Sequence, residues 1–379
     1  MKFSIQRNPF IKYLNTVTRA ISAKTALDIL NGIKLDLTNE ELKLTASNGD
    51  ISIETTLAEN DEEAGLSVLE TGSIVVPARM FVDIIKRLPE NEVNINIDAK
   101  YQVTITSGQA AFTINGLDPN EYPHLPEIEI KTQINLEADI LKRVIEQTII
   151  SVSNQENRPI LTGIHLTLKS DQLVAVATDS HRLSRRQLAL QVDQAIDYNL
   201  TIPGKSMNEL AKMLSDYPGQ VNVQISENQV LFILGQTYFY SRLLEGNYPE
   251  TDRLIPQNSS TQIEFNSAEF LRAIERASLL SHEGRNNIVK LTLDTANQSA
   301  ILSGNSPEVG NVEERLSFNS LTGEGIQISF NPDYMKDALR SFGQSQIKLE
   351  MTQPLRPFVV LPSEGDTTML QLITPVRTA

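Results

Sequence analysis

The chain of 379 residues has no cysteine and no tryptophan, and only four histidines. Without cysteine there can be no disulfide, no thiolate metal site and no cysteine nucleophile, a composition that fits a cytosolic location. No apolar run approaches the roughly 18 residues that would suggest a membrane-spanning helix. The N-terminus, Met1-Lys2-Phe3-Ser4-Ile5-Gln6-Arg7, carries no apolar signal segment, so secretion is not expected. His124, His165, His181 and His282 lie far apart in the sequence, and none belongs to a helical His-Glu-x-x-His pair. Neither a metal nor another cofactor is expected.

Basic charge is also in deficit: the formal net charge is −14. That sign counts against nucleic acid as a partner, but its distribution matters more than its sum. Lys2, Arg7, Lys12, Arg19 and Lys24 precede Leu27 with no acid among them, while Glu59, Asp61, Glu62 and Glu63 cluster elsewhere. The expected helices of the first third carry Lys12, Arg19, Arg79, Lys86 and Arg87 against Asp83 alone. Those of the other two thirds are near neutral, so the excess acid resides outside the helices. A near-neutral or basic helical face on an acidic protein is what a phosphate-facing surface needs; ordinary solvated helix faces are the alternative.

What the sequence does have is a threefold repeat. Tyr122-Pro123 returns as Tyr248-Pro249, 126 positions on, and Ile29-Leu30-Asn31-Gly32-Ile33 returns as Ile160-Leu161-Thr162-Gly163-Ile164. A weaker third copy places Ile288-Val289-Lys290-Leu291 in the position of Leu161-Thr162-Gly163-Ile164. Repetition at domain size points to architecture before chemistry. Proline-bearing stretches after each Tyr-Pro pair read as linkers, giving domains 1–126, 127–255 and 256–379.

Helical periodicity predicts first helices at Asn8–Ser22, Glu137–Ile150 and Ser267–Ser281, with Asn8 and Ser267 as N-caps. Second helices are expected at Ala78–Leu88, Lys205–Leu214 and Pro332–Phe342. Segments such as Val93–Ile97 and Val221–Ile225 alternate at period two and read as strands, and Gly108–Ile114 and Val230–Leu234 complete matching hairpins. Two helices and about eight short strands per copy make an α+β domain with its helices gathered on antiparallel sheet.

Catalytic motifs are weak. Pro203-Gly204-Lys205-Ser206 resembles the end of a phosphate loop, yet the required earlier glycine is Asn199. Asp179-Ser180-His181 holds the residue types of a hydrolase triad, but adjacent residues cannot form that relay, and no Gly-x-Ser-x-Gly elbow surrounds Ser180. No pair of carboxylates is marked by spacing, so an acidic cytosolic hydrolase with an unrecognised carboxylate site stays open as an alternative. So does an open scaffold. Ala177–Leu183 and the C-terminal Met369–Arg377 could each bind a partner or be an ordinary loop and edge strand.

These residues, in order and at this spacing, resemble the bacterial β sliding clamps. The resemblance covers essentially the whole chain and rests on Ala177-Thr178-Asp179-Ser180-His181-Arg182-Leu183, the two Tyr-Pro pairs, Gly284-Arg285-Asn286-Asn287 and Pro375-Val376-Arg377. It implies a non-catalytic, head-to-tail homodimer of six similar domains. These would close into a ring around duplex DNA and tether the replicative polymerase for processivity. By position, it implies DNA contacts at Lys24, Gln155, Lys205, Asn331 and Tyr334. Pro159 and Ile160 stand where family members can carry aromatic residues, so only loop shape is expected there.

The resemblance further implies a cleft between the second and third domains for short linear peptides of polymerase, clamp loader and repair factors. Its residues would be Leu161, Thr178, Ser180, His181, Arg182, Leu183, Pro249, Arg253, Leu254, Leu372, Pro375, Val376 and Arg377. An apolar pocket there would take a leucine or phenylalanine anchor, with His181, Arg182 and Arg377 meeting backbone or carboxylate groups. Many relatives carry methionines around the closing proline, where this chain has Thr374 and Val376.

Overall fold

A computed structural model describes residues 1–22, 25, 27–125, 132–169, 171–190, 196–283, 287–365 and 368–377. In the first repeat the order is β1 (Lys2–Gln6), α1 (Arg7–Val17), β2 (Gly32–Leu37), β3 (Glu41–Ser47), β4 (Ile51–Ala58), β5 (Ser67–Glu70), β6 (Gly72–Pro77), α2 (Ala78–Arg87), β7 (Glu92–Ile97), β8 (Gln102–Ser107) and β9 (Ala110–Asn115). The second repeat runs β10 (Thr132–Glu137), α3 (Ala138–Thr148), β11 (Gly163–Lys169), β12 (Gln172–Thr178), β13 (Arg182–Ala189), β14 (Asp197–Pro203), α4 (Gly204–Leu214), β15 (Gln220–Ile225), β16 (Gln229–Leu234) and β17 (Thr237–Arg242). The third runs β18 (Thr261–Asn266), α5 (Ser267–Glu283), β19 (Val289–Asp294), β20 (Ser299–Ser306), β21 (Gly310–Arg315), β22 (Ser320–Gly323), β23 (Ile326–Phe330), α6 (Pro332–Phe342), β24 (Gln346–Met351), β25 (Phe358–Pro362) and β26 (Met369–Ile373).

The chain divides into two compact units, Met1–Leu141 with Glu209–Leu243, and Lys142–Asn208 with Leu244–Ala379. The first holds a sheet of order β5-β1-β7-β8-β9 and an eight-stranded sheet β10-β15-β16-β17-β4-β3-β2-β6. In the eight-stranded sheet β17 of the second repeat pairs antiparallel with β4 of the first, Phe239 opposite Ile53. The second unit holds a nine-stranded sheet β14-β11-β12-β13-β26-β25-β24-β18-β22 and a sheet β21-β20-β19-β23. Here β26 of the third repeat pairs with β13 of the second, Leu372 opposite Leu183. Within each unit a sheet therefore runs unbroken from one repeat into the next.

The patterns behind the elements are plain. Along β4 every second residue from Ile51 to Leu57 is buried, the mark of a strand with one face inward. Helix α2 buries Phe81, Val82, Ile84 and Ile85 and leaves Arg79, Lys86 and Arg87 outside. Phe10 of α1 meets Phe81 edge-on, with ring centroids 6.0 Å apart, and both are fully buried. Each such side chain contributes on the order of 1.5–3 kcal/mol. Phe265 and Phe270 stack at 4.3 Å where β18 turns into α5.

Helix positions agree with periodicity; the caps do not. Helix α1 begins at Arg7, so Asn8 lies inside its first turn, and the Asn8 N–H is satisfied by Asn91 Oδ1 at 3.2 Å. In α5 the cap is Asn266, whose Oδ1 accepts the Glu269 N–H at 3.1 Å. Ser267 instead donates to Gly343 O and accepts from Ser345 N–H, pinning the helix start to the chain beyond α6. The first helix also ends early, at Val17, followed by a 3₁₀ turn Thr18–Ala20. Gly108, expected in a strand, turns the β8–β9 hairpin at φ +53°. Of the linker expected after Tyr122-Pro123, His124 and Leu125 are irregular and 126 lies outside the described residues, whereas 252–254 form a 3₁₀ turn.

Candidate functional site

Strands β12 and β13 are joined by a tight turn at Asp179-Ser180-His181. Ser180 takes a left-handed φ of +78°. Asp179 Oδ1 accepts the N–H groups of His181 and Arg182, at 2.9 and 3.0 Å, and Thr178 Oγ1 donates to Arg182 O at 2.6 Å. Asp179 is therefore spent on holding the turn. This accounts for the Asp-Ser-His run without any catalytic role.

Arg182 leaves this turn and is itself held on several sides. Its Nε lies 3.0 Å from Asp179 Oδ2 and its Nη1 2.7 Å from Asp337 Oδ2 on α6. The guanidinium stands 4.6 Å from the Tyr334 ring centroid, a cation–π distance. His181 stacks on the other part of this group, 6.5 Å from the Tyr334 ring with planes 17° apart. Burial raises the pKa of the Tyr334 hydroxyl, and the negative charges of Asp179 and Asp333 add to it against the opposing charge of Arg182. The C-terminal segment is tied to the same place: Thr374 N–H donates to His181 O at 2.9 Å and Val376 N–H to Ser329 O at 2.7 Å.

Below the turn lies an apolar floor. Val176, Leu183, Val359 and Leu372 are buried together, with Val174, Tyr248, Ile255, Leu361 and Leu370 packed half-buried around them. Burial pushes the Tyr248 hydroxyl well above its ordinary pKa. Its ring stacks on His165 at 4.6 Å, the planes 7° apart. The arrangement places half-buried apolar side chains near a fixed cation. It suits a short chain with one or two apolar anchors.

Of the residues expected at a peptide cleft, the structure brings together Thr178, Ser180, His181, Arg182, Leu183 and Leu372. Pro375 and Val376 follow on the pinned tail, and Arg377 is exposed at its end. Leu161 is buried in the 3₁₀ turn Pro159–Thr162. Pro249 is exposed beside Tyr248. Arg253 and Leu254 are exposed on the turn at 252–254, where Arg253 pairs with Glu250 at 2.8 Å; the following Ile255, not Leu254, packs on the floor. Tyr248, Ile255, Val359, Leu361 and Leu370 are absent from the sequence expectation. Tyr248 was visible there as a repeat marker, while Val359 and Leu361 carried no signal beyond strand alternation.

The residues expected at DNA fall into two groups, and Lys24 lies outside the described residues. Lys205 is exposed in the first turn of α4. Gly204 before it lets the helix start close on its neighbours: a Cβ there would stand 3.0 Å from both Thr162 O and Val152 Cγ1. This close approach accounts for the glycine without a nucleotide-binding phosphate loop. It sets Lys205 beside the Pro159–Thr162 turn and the loop bearing exposed Gln155, whose N–H donates to Ser153 Oγ at 3.1 Å. Asn331 and Tyr334 form the other group. Asn331 caps α6, accepting Asp333 N–H at 2.8 Å, and Tyr334 is the ring beneath Arg182. Two residues expected along DNA thus adjoin the expected peptide cleft.

No group of His, Asp and Glu among the described residues could hold a metal ion, and no helix among them is long and apolar enough to cross a membrane. Models of the DNA polymerase III beta subunit match the chain three times, as its N-terminal domain at 1–126, its central domain at 135–250 and its C-terminal domain at 252–377. The beta sliding clamps of Bacillus subtilis (strain 168) and Staphylococcus aureus (strain N315) are 45% and 44% identical to it, each over 379 residues and the full length of both chains. The solved DNA polymerase sliding clamp of Bacillus subtilis superposes with a TM-score of 0.96 at 45% identity, over 100% of each chain. The beta subunit of Streptococcus pyogenes does so at 0.94 and 40%, also over 100% of each. With all three domains matched in order along its length, the chain belongs to the DNA polymerase III beta subunit family, the bacterial beta sliding clamps.

Proposed function

We propose that two copies of this chain close head to tail into a ring that encircles duplex DNA, and that the floor under the Thr178–Leu183 turn receives short peptides of the replicative polymerase, clamp loader and repair factors. The proposed domains are 1–126, 127–255 and 256–379, supported by the three matched segments. The protein acts in the cytoplasm on this reading, with DNA contacts at Lys24, Gln155, Lys205, Asn331 and Tyr334. The peptide contacts are those given above.

One observation carries the ring. The third strand of each repeat's first meander pairs with the last strand of the next repeat: β4 with β17, then β13 with β26. By the same rule β21 of the third repeat needs the last strand of a first repeat, which is β9. Both β21 and β9 are edge strands with one neighbour each. A second copy supplies the missing partner on both sides, so the rule closes and covers the edges of β9 and β21. Phe112 on β9 is 39% exposed and Leu279 on α5, the helix packed along β21, is 70% exposed, apolar surface that such a contact would cover.

A ring holds DNA by linkage, so weak, sequence-independent phosphate contacts suffice and leave it free to slide. The test is retention: protein loaded on nicked circular DNA should stay through gel filtration and be lost after the circle is cut. Equal retention on circles and open-ended DNA would show that affinity, and not enclosure, holds the complex.

A further inference from the structure

We propose that Gln371 is a positioning residue of the peptide cleft, setting the cleft floor from the opposite face of β26 through a directed relay of buried hydrogen bonds. The inference rests on the cleft reading above. Gln371 lies between Leu370 and Leu372, which both face the floor, and period-two alternation turns its own side chain the other way. It is 2% exposed. There its amide meets groups from both repeats.

Every proton in this group can be assigned. Gln371 Nε2 donates to Gln147 O at 2.9 Å and to Ser341 Oγ at 3.2 Å. A backbone carbonyl only accepts, so the amide must turn its nitrogen to Gln147 and its oxygen to Ser184. Ser184 Oγ accordingly donates to Gln371 Oε1. A hydroxyl has one proton, so Ser151 Oγ, 2.7 Å from Ser184 Oγ, is the donor of that bond. At the far end Ser341 donates onward to Ala338 O at 2.6 Å. The chain runs in one direction from the second repeat, through Gln371, to α6 of the third. Ser151 and Ser184 are no more exposed than Gln371, at 1% and 0%.

The repeat provides an internal control. Two residues inward from the turn, β13 and β26 place Ser184 opposite Gln371. At the corresponding point of the other inter-repeat pairing, β4 and β17 place Ile53 opposite Phe239, both fully buried. An apolar pair tolerates small shifts, whereas directed hydrogen bonds in a dry site hold one arrangement and leave costly orphans in any other. The β4–β17 junction has a single hydroxyl pair, Thr55 Oγ1 and Thr237 Oγ1 2.8 Å apart, two residues further along, whereas the junction with the peptide floor carries the connected relay. There Leu183 from one repeat and Leu372 from the other must meet to form one surface.

The test uses the full-length protein and a fluorescein-labelled hexapeptide bearing one leucine and one phenylalanine, read by fluorescence anisotropy. Wild type should bind and Leu183→Lys should not; absence of that contrast would overturn the cleft reading and this inference with it. Given that contrast, Gln371→Leu should weaken binding about tenfold and the milder Ser184→Ala about threefold, at a temperature where circular dichroism shows both fully folded. Phe239→Leu, which opens a comparable defect at the other junction, should lower Tm and leave peptide affinity unchanged. Unaltered affinity in both Gln371→Leu and Ser184→Ala would overturn the inference while leaving the cleft in place. An equal loss in Phe239→Leu would also overturn it, by showing general loosening.

Discussion

His165 stacks on Tyr248, which packs against the apolar cluster, and its Nδ1 lies 3.0 Å from Thr201 Oγ1. Burial lowers its pKa below the ordinary 6.5. The folded protein therefore keeps this ring neutral at a pH where the unfolded chain already binds a proton. Stability from this site is complete above 6.5 and falls as pH drops from there towards the lowered folded value. His165→Phe keeps a ring for Tyr248 to stack on and removes the titration. Urea midpoints measured between pH 7 and pH 5 should fall less in the variant than in wild type; parallel curves would show that His165 does not carry the dependence. Residues close in sequence, such as Thr178 to Leu183, could be read as one site because a turn keeps them together. The Arg182–Asp337 pair could not, since its partners are 155 residues apart and only the fold brings them to 2.7 Å. Arg182 is consequently a strut between turn and helix, in addition to the peptide contact proposed for it.

At the scale of elements, the amphipathic helices were legible because each buries one stripe against its sheet. Their caps were not, because Asn91 and Asn266 act from a neighbouring loop or one residue earlier than composition suggests. Alternation likewise revealed the strands but said nothing of which strand lies beside which. The pairings β4–β17 and β13–β26 join segments far apart in the chain, and period two is the same in all of them. Those pairings lead to the prediction for β9. Phe112→Arg would bring an unpaired charge into the proposed contact with β21 and raise the dimer dissociation constant at least about 100-fold. Sedimentation at micromolar concentration should show monomers with unchanged helix content. A dimer that persists would place self-association at another edge.

For the molecule as a whole, a sliding clamp is a non-catalytic accessory subunit of the polymerase, and the acidic composition agrees with a protein that must not grip DNA. Net charge of −14 opposes tight phosphate binding at long range, while the contacts proposed for exposed bases such as Lys205 act within a Debye length of roughly 8 Å. Affinity and retention should then separate under mutation. Removing one phosphate contact by Lys205→Ala should flatten the dependence of log K on log salt for a short open duplex by about 0.9. The lifetime of the loaded protein on an intact circle should stay as it was, because a linked ring leaves only by opening or by reaching an end. An unchanged salt slope would remove Lys205 from the phosphate path. A lifetime on circles that shortened in step with the affinity would mean that electrostatic attraction, and not enclosure, keeps the protein on DNA.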